Sequence, residues 1–174
     1  GDDAKEIGSN THHWIEDYYN GNNPEMPVCE NTIIRVNRFK ELHEDKLYKF
    51  KPVIQEMKVW SKEWGIAGTL DGLFELSNKY YVGDYKTNKD FTHDDHPKGR
   101  RKRMLAPFKD LYDNHLNGYS LQVSTYRLLL EKAGFETHGA FLAHIGPNEN
   151  KLYKAIDLRD RLSKFLATNN FGIF

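Results

Sequence analysis

Two mostly apolar runs, residues 65–76 and 79–87, stand on either side of Ser77-Asn78 near the middle of the chain. Strand-like runs divided by a short polar break predict two antiparallel strands that are joined by a tight turn. Because both runs are rich in apolar residues, they are typical of strands that are buried rather than half exposed. The sequence therefore predicts a hairpin with two largely buried strands.

The predicted hairpin brings two carboxylates face to face. If the turn consists of Ser77-Asn78 alone, Asp71 and Asp84 are equidistant from it and face each other across the strands. Facing Cβ atoms lie about 4.5–5.5 Å apart, so the like charges repel each other. Lys86 lies on the same face as Asp84, because side chains alternate along a strand. A three-residue turn that includes Lys79 would shift the register and separate the two carboxylates.

The facing carboxylates need a compensating cation. Lys86 carries one positive charge, and Mg²⁺ or Mn²⁺, which take hard oxygen ligands, would supply the rest. The alternative is a surface hairpin with ordinary exposed charges. The apolar flanks count against that alternative, because charges among apolar residues need partners or a metal. The spacing thus predicts a divalent-cation site.

Length, charge and cysteine content restrict the class of protein. With 174 residues and 39% hydrophobic content, the chain is predicted to form a single globular domain over residues 1–174. Its formal net charge is zero, so any contact with nucleic acid must come from a local patch. The single cysteine, Cys29, excludes an internal disulfide framework and a four-cysteine iron–sulfur or zinc site. These features, with no membrane-length apolar stretch and no visible signal peptide, predict a cytoplasmic protein without a membrane partner.

Hydrophobic periodicity and turn signals predict the element order αα-βββ-α-ββ-α. Residues 88–115 are polar and charged and are predicted to form a mobile loop. The economical arrangement is a central mixed β-sheet flanked by helices, of the α/β (α+β) class. The predicted helices cover residues 4–20, 31–47, 117–132 and 157–167, and the predicted strands cover residues 53–60, 65–76, 79–87, 137–145 and 151–156.

Four short motifs follow one another along the chain: Gly8-Ser9-Asn10-Thr11-His12 with Glu16, Gly68-Thr69-Leu70-Asp71, Asp84-Tyr85-Lys86-Thr87, and Gln122-Val123-Ser124-Thr125-Tyr126. In this order they resemble the motifs of the RecB-like branch of the PD-(D/E)XK nuclease superfamily. The hairpin is similar to that of the mitochondrial genome maintenance exonucleases. Residues 102–122 are similar to phage-encoded members. Each motif alone is a weak signal, but four in order are a strong one.

This resemblance implies a restriction-endonuclease-like core that binds one or two Mg²⁺ or Mn²⁺ ions and cuts DNA. By position, it implies that the side chains of His12, Asp71 and Asp84 and the backbone carbonyl of Tyr85 bind metal. It also implies that Lys86 positions or activates the attacking water and offsets charge on the phosphate.

The resemblance assigns supporting roles to Gln122 and Tyr126, which would steady the active site or touch the DNA backbone. On composition alone, Tyr126 would be a core residue. Some relatives carry a four-cysteine iron–sulfur cluster, and the chain has too few cysteines for one.

For several residues near the predicted site, the sequence allows two different roles. Adjacent helical residues cannot both face the hairpin, so His13 is the alternative to His12. Glu16 either orients the imidazole of His12 or is an exposed helix charge. Glu56 either supports the metal site or is a solvated carboxylate on a strand.

A basic run lies between the third and fourth motifs and contains Lys98, Arg100, Arg101, Lys102 and Arg103. A charge run is most often a solvated loop, but the position of this one indicates that it clamps DNA phosphates. The neighbouring segment 93–96 has the composition of a metal cluster, but no strand or helix fixes its geometry, so a polar loop is predicted.

The resemblance therefore implies a metal-dependent deoxyribonuclease whose partner is DNA, single-stranded or with free ends. The preference for exonuclease action rests on analogy with the similar proteins. Two alternatives stay open: a structure- or site-specific endonuclease of the same fold, and a non-catalytic nucleic-acid-binding protein. The presence of Asp71, Asp84 and Lys86 argues against the non-catalytic alternative.

Overall fold

The computed structural model describes residues 2–89 and 102–169, and these ranges contain the predicted element order. A short 3₁₀ turn, Leu47–Lys49, precedes the first strand. The helices are α1 (Asp2–Tyr19), α2 (Glu30–Asp45), α3 (His115–Lys132) and α4 (Arg159–Asn169). The strands are β1 (Lys51–Ser61), β2 (Ile66–Leu76), β3 (Lys79–Lys86), β4 (Gly139–Ile145) and β5 (Asn150–Lys154).

The strands form one mixed sheet in the order β1-β2-β3-β4-β5. Of the described strands, only β3 and β4 run parallel to each other, and the connection between them carries α3. A parallel pair needs such a crossover, because a tight turn can only join antiparallel strands. In this pair Tyr85 lies opposite Ala143, and Lys86 lies opposite His144. The predicted central mixed sheet is confirmed.

Helices cover both faces of the sheet. On one face, α1 and α2 bury a cluster that includes Ile15, Phe39, Phe74 and Tyr85. On the other face, α3 packs against the sheet, and α4 packs against α3. The hairpin therefore lies in the middle of three layers, with helices on both sides. Among the described helices, none combines the length and apolarity that crossing a membrane requires.

The turn of the hairpin has two residues, as the register argument requires. Ser77 and Asn78 have φ values of 52° and 63°, which are typical of the central positions of a type I′ turn. Leu76 pairs with Lys79 directly beyond them. The two-residue turn is confirmed, and the three-residue alternative is wrong.

The boundaries of some elements differ from the prediction. Strand β1 starts at Lys51 and includes Pro52, which lies on an edge strand where a missing N–H is tolerated. Helix α3 starts at His115 because the Asn114 side chain accepts a hydrogen bond from the Asn117 backbone and caps the helix. Part of the predicted loop, residues 90–101, lies outside the described residues, so its mobility stays a prediction.

Candidate functional site

The candidate site forms where β2 and β3 stop pairing. Their ladder ends at the pair Gly72 and Gly83, and the next residues are Asp71 and Asp84. The backbone N–H of Tyr85 donates a hydrogen bond of 2.8 Å to Oδ2 of Asp71. The carboxylate thus takes the place that a backbone carbonyl would have in a continuing ladder. The predicted register is confirmed, and it leaves two carboxyl groups next to each other at the end of the ladder.

The carboxyl groups of Asp71 and Asp84 repel each other, and the ammonium of Lys86 offsets only part of their negative charge. Burial and the nearby Asp84 raise the pKa of Asp71 well above its ordinary value of 3.8. Asp84 is 3% exposed, and its Oδ2 lies 2.8 Å from Nζ of Lys86. The same oxygen is buried without a hydrogen bond of good geometry. The pair is therefore poorly stabilised as two anions.

Helix α1 contributes His12 to this cluster. Its Nε2 lies 2.7 Å from the carbonyl oxygen of Tyr85 and 3.8 Å from Oδ2 of Asp71. Burial lowers the pKa of His12, which favours the neutral imidazole at neutral pH. A proton on Nε2 donates to the carbonyl, whereas a proton on Nδ1 leaves two lone pairs facing each other. His13 is exposed, so His12 is the histidine that faces the hairpin.

Two motif glycines permit close approach around the site. A Cβ atom at Gly8 would lie 3.1 Å from Oγ1 of Thr87, so α1 lies directly against the end of β3. A Cβ atom at Gly68 would lie 2.6 Å from the ring of Tyr126, which is closer than real contacts allow. Each glycine therefore has a steric reason to stand where the motif places it.

A chain of polar contacts from α3 holds Lys86. Its Nζ donates a hydrogen bond of 2.9 Å to Oε1 of Gln122, and Nε2 of Gln122 lies 3.0 Å from the hydroxyl of Tyr126. The ammonium also lies 4.3 Å from the centre of the Tyr119 ring. These contacts hold the ammonium next to Asp84, so the third and fourth motifs meet as predicted.

Glu16 and Glu56 both reach the site. Together with His12, Asp71 and Tyr85 they line a small pocket. Glu56 has a φ of 53°, an unfavourable conformation for a residue with a side chain, and it interrupts the pairing of β1 with β2. Partial burial and the Glu56 carboxylate raise the pKa of Glu16. Both residues are therefore neighbours of the candidate ligands, and their functional roles stay predictions.

Three further residues that touch the site were not predicted as site residues. Gln55 accepts a hydrogen bond of 3.2 Å from the Tyr85 hydroxyl, and Tyr119 lies under the Lys86 ammonium. Arg35 of α2 donates to the carbonyl of Thr87. Spacing can suggest Tyr119, which lies one helical turn before Gln122. No local pattern marks Arg35, because its position depends on how α2 packs.

The basic run is described only in part, because three of its residues lie outside the described ranges: Lys98, Arg100 and Arg101. The segment 93–96 lies there as well. Lys102 is exposed, whereas Arg103 donates to the carbonyl of Asp110 and the hydroxyl of Tyr112. Arg103 thus holds its own segment together. Phosphate binding by the run stays a prediction.

The donor atoms of the cluster suit a hard divalent cation. Two carboxylates, a backbone carbonyl and a neutral imidazole are ligands that Mg²⁺ or Mn²⁺ accepts. The buried Asp84 oxygen without a hydrogen bond also fits such an ion. Within residues 2–89 and 102–169, however, no three histidine, cysteine, aspartate or glutamate side chains already converge as a metal cluster. The donor chemistry fits such an ion, and metal binding stays a prediction.

No protein-family model matches the chain, and no curated protein matches it in sequence. Among solved structures, the chain is similar to a candidate exonuclease from Eubacterium rectale, with a TM-score of 0.61 and 12% identity. The match covers 94% of this chain and 64% of that one, so the chain spans under two thirds of its neighbour. This likeness shows a shared fold.

Two other solved structures match more weakly. The protein SSO0001 has a TM-score of 0.43 and 16% identity over 97% of this chain and 73% of that one. The protein VC1899 from Vibrio cholerae has a TM-score of 0.31 and 16% identity over 79% of this chain and 33% of that one. Neither likeness is close enough to support an argument.

Proposed function

We propose that this chain is a Mg²⁺- or Mn²⁺-dependent deoxyribonuclease, and that it acts as an exonuclease on DNA ends with a preference for single strands. The observation that carries the proposal is the meeting of Asp71, Asp84 and Lys86 at the end of the β2–β3 ladder, beside His12. The shared fold with a candidate exonuclease supports a nuclease. The exonuclease and single-strand preferences rest on the motif resemblance.

The side chains of His12, Asp71 and Asp84 and the carbonyl of Tyr85 would hold the ion. When bound, Mg²⁺ or Mn²⁺ would polarise a phosphate and lower the pKa of a water at the site. The raised pKa of Asp71 and the lowered pKa of His12 support this assignment. A cation relieves the repulsion between the carboxylates, and imidazole binds metal only when its ring nitrogen is unprotonated.

Lys86 supplies the remaining positive charge of the centre. Hydrolysis of a phosphodiester builds negative charge on the phosphate oxygens in the transition state, and a prepositioned ammonium stabilises that charge. Gln122 and Asp84 fix the ammonium from two sides, so little reorganisation is needed when the substrate binds. The hydroxyl of Tyr126 in turn fixes the amide of Gln122. Gln122 and Tyr126 are therefore positioning residues for Lys86.

The test uses end-labelled single- and double-stranded linear DNA and closed circular DNA, each with Mg²⁺, Mn²⁺ or EDTA. The wild type is expected to shorten linear DNA from its ends with either metal and to be inactive in EDTA. Lys86→Ala is expected to lose cleavage by about 100-fold or more. Lys132→Ala is a matched control, because Lys132 also pairs with a carboxylate, Glu63, and lies over an aromatic ring.

Cleavage that persists in EDTA or in Lys86→Ala would contradict the proposed mechanism. Nicking of the closed circles would replace the exonuclease with the endonuclease of the same fold. Circular dichroism of each variant checks that lost activity is not lost folding, and Lys86→Gln provides a second, less drastic substitution. Retained DNA binding without cleavage in the wild type would favour the non-catalytic alternative.

A further inference from the structure

Two arginines on α2, Arg35 and Arg38, lie one helical turn apart without a carboxylate partner in the described part of the chain. Arg35 donates to the carbonyls of Thr87 and Asn31, at 3.2 Å and 3.0 Å. Nε of Arg38 is buried and has no hydrogen-bond partner among the described residues. Burial and the charge of Arg38 lower the pKa of Arg35. Because residues three positions apart on a helix are neighbours, the two side chains leave the same side of α2.

Arg35 of this pair lies beside the candidate active centre. The carbonyl that accepts from Arg35 belongs to Thr87, which follows Lys86 directly in the chain. On the next residue, the Asn88 carbonyl oxygen lies 2.6 Å from Nε2 of His144. The segment that leaves β3 is thereby fixed, and Arg35 is held one residue beyond the ammonium-bearing side chain.

A purely structural role explains the position of Arg35 but not that of Arg38. Holding the Thr87 and Asn31 carbonyls accounts for Nε and Nη1 of Arg35. It does not account for Arg38, whose buried Nε carries an unmet donor next to a second positive charge. Partly buried charge without a partner is unfavourable, so such a pair is stabilised when an anion binds. Guanidinium groups bind phosphate with paired, charge-assisted hydrogen bonds.

We propose that Arg35 and Arg38 together bind a phosphate group of the nucleic acid next to the cleavage centre. The proposal rests on the proposed function and deepens it, because it assigns a second contact to the same substrate. The bound group is either an internal phosphodiester or a phosphate at the end of a strand. Both present the same anionic oxygens, and the experiment separates them.

The test measures binding of a fluorescent oligothymidylate by anisotropy in EDTA, over a series of salt concentrations. Each lost phosphate contact lowers the slope of log affinity against log salt by about 0.7 for single strands. Arg38→Ala is expected to weaken binding several-fold and to reduce the slope by about that amount. Lys40→Ala is the matched control, because Lys40 is an exposed cation on the same helix.

Three oligothymidylates distinguish the two kinds of phosphate: one with a 5′-phosphate, one with a 3′-phosphate and one with neither. An equal loss on all three assigns an internal phosphodiester to the arginine pair. A loss confined to one terminal phosphate assigns the pair to that strand end. Arg38→Gln is a second variant that keeps a polar side chain without the positive charge, and thermal unfolding checks that both variants fold.

The proposal is overturned if Arg38→Ala and Arg38→Gln bind with the affinity and salt slope of Lys40→Ala, or if the wild type binds none of the oligonucleotides. The arginine-site proposal and the nuclease proposal can fail independently, because binding is measured without metal. A wild type that binds but never cuts, with weaker binding in Arg38→Ala, supports the arginine site and contradicts the nuclease.

Discussion

Two histidine–carboxylate pairs lie near the ends of the strands at the centre of the sheet, and they differ in almost every physical respect. Nε2 of His12 is 3.8 Å from Asp71, and the two side chains are 34% and 20% exposed. Nδ1 of His144 is 2.7 Å from Glu149, and the imidazole is fully buried. The first pair is loose and both of its side chains are partly exposed, whereas the second is tight and joins a buried imidazole to a carboxylate that is 35% exposed.

The pKa values of the two carboxylates, Asp71 and Glu149, are shifted in opposite directions. Burial and Asp84 raise the pKa of Asp71, so its anion is destabilised. Burial alone would raise the pKa of Glu149, but hydrogen bonds that involve Tyr153 and His144 outweigh it and lower that pKa. A pair whose members satisfy each other stabilises the fold. A pair that leaves an anion unsatisfied costs stability, which is typical of a site kept for a ligand.

The largest expected difference between the two pairs is in activity. His12→Ala removes a proposed metal ligand and is expected to lower metal-dependent DNA cleavage by about 100-fold or more. His13→Ala, which changes the exposed neighbour, is expected to leave cleavage unchanged. Initial rates at saturating Mn²⁺ check both, and equal losses in the two variants would remove His12 from the centre.

The next largest effect is on the free energy of unfolding. Here the second pair, His144 with Glu149, is expected to matter more than the first. His144→Ala removes the contacts of the imidazole with the Glu149 carboxylate and the Asn88 carbonyl and is expected to cost about 1–3 kcal/mol. His12→Ala is expected to cost less, because its side chain is one third exposed. Urea unfolding in EDTA measures both free energies, and a larger loss for His12→Ala would break the comparison.

Neutralising the two carboxylates is expected to change stability with opposite signs. Asp71→Asn keeps an acceptor for the Tyr85 N–H, removes the repulsion with Asp84 and is expected to gain about 0.5–2 kcal/mol in EDTA. Glu149→Gln loses charge on hydrogen bonds with His144 and Tyr153 and is expected to cost about 1 kcal/mol or less. Changes of the same sign would contradict the contrast.

The smallest effect is a pH dependence of these differences. The folded-state pKa of Asp71 lies above 3.8, so its penalty is absent at lower pH and grows as pH rises through the folded pKa. The stability gain of Asp71→Asn should therefore grow with pH. Glu149 has a folded pKa below 4.5, so its contribution is present above 4.5 and lost as pH falls through the folded value. Urea titrations at several pH values test both trends.

Much of the fold was predictable because its signals are local. Apolar periodicity gave the order of helices and strands, and the polar break at Ser77-Asn78 gave the register that places Asp71 beside Asp84. The parallel pairing of β3 with β4 was not predicted in detail. It depends on the path of the crossover rather than on any short pattern.

Site residues that belong to a sequence motif could be predicted. Site residues that are positioned by packing between distant elements could not. The position of Gln122 and Tyr126 near Lys86 followed from the motif resemblance, and Tyr126 is also a buried core residue, as composition predicted. The left-handed backbone at Glu56 and the approach of Arg35 to Thr87 had no local signal. Both depend on contacts between elements that are distant in sequence.

The central claim is that the cluster around Asp71 and Asp84 is held ready for a divalent cation. Thermal unfolding with and without MnCl₂ tests it directly, because a ligand that binds only the folded state raises the melting temperature. The wild type and Glu149→Gln are expected to show the same rise, and Asp84→Asn is expected to show none. A wild type that does not respond to Mn²⁺, or an Asp84→Asn variant that responds as fully, would contradict the claim.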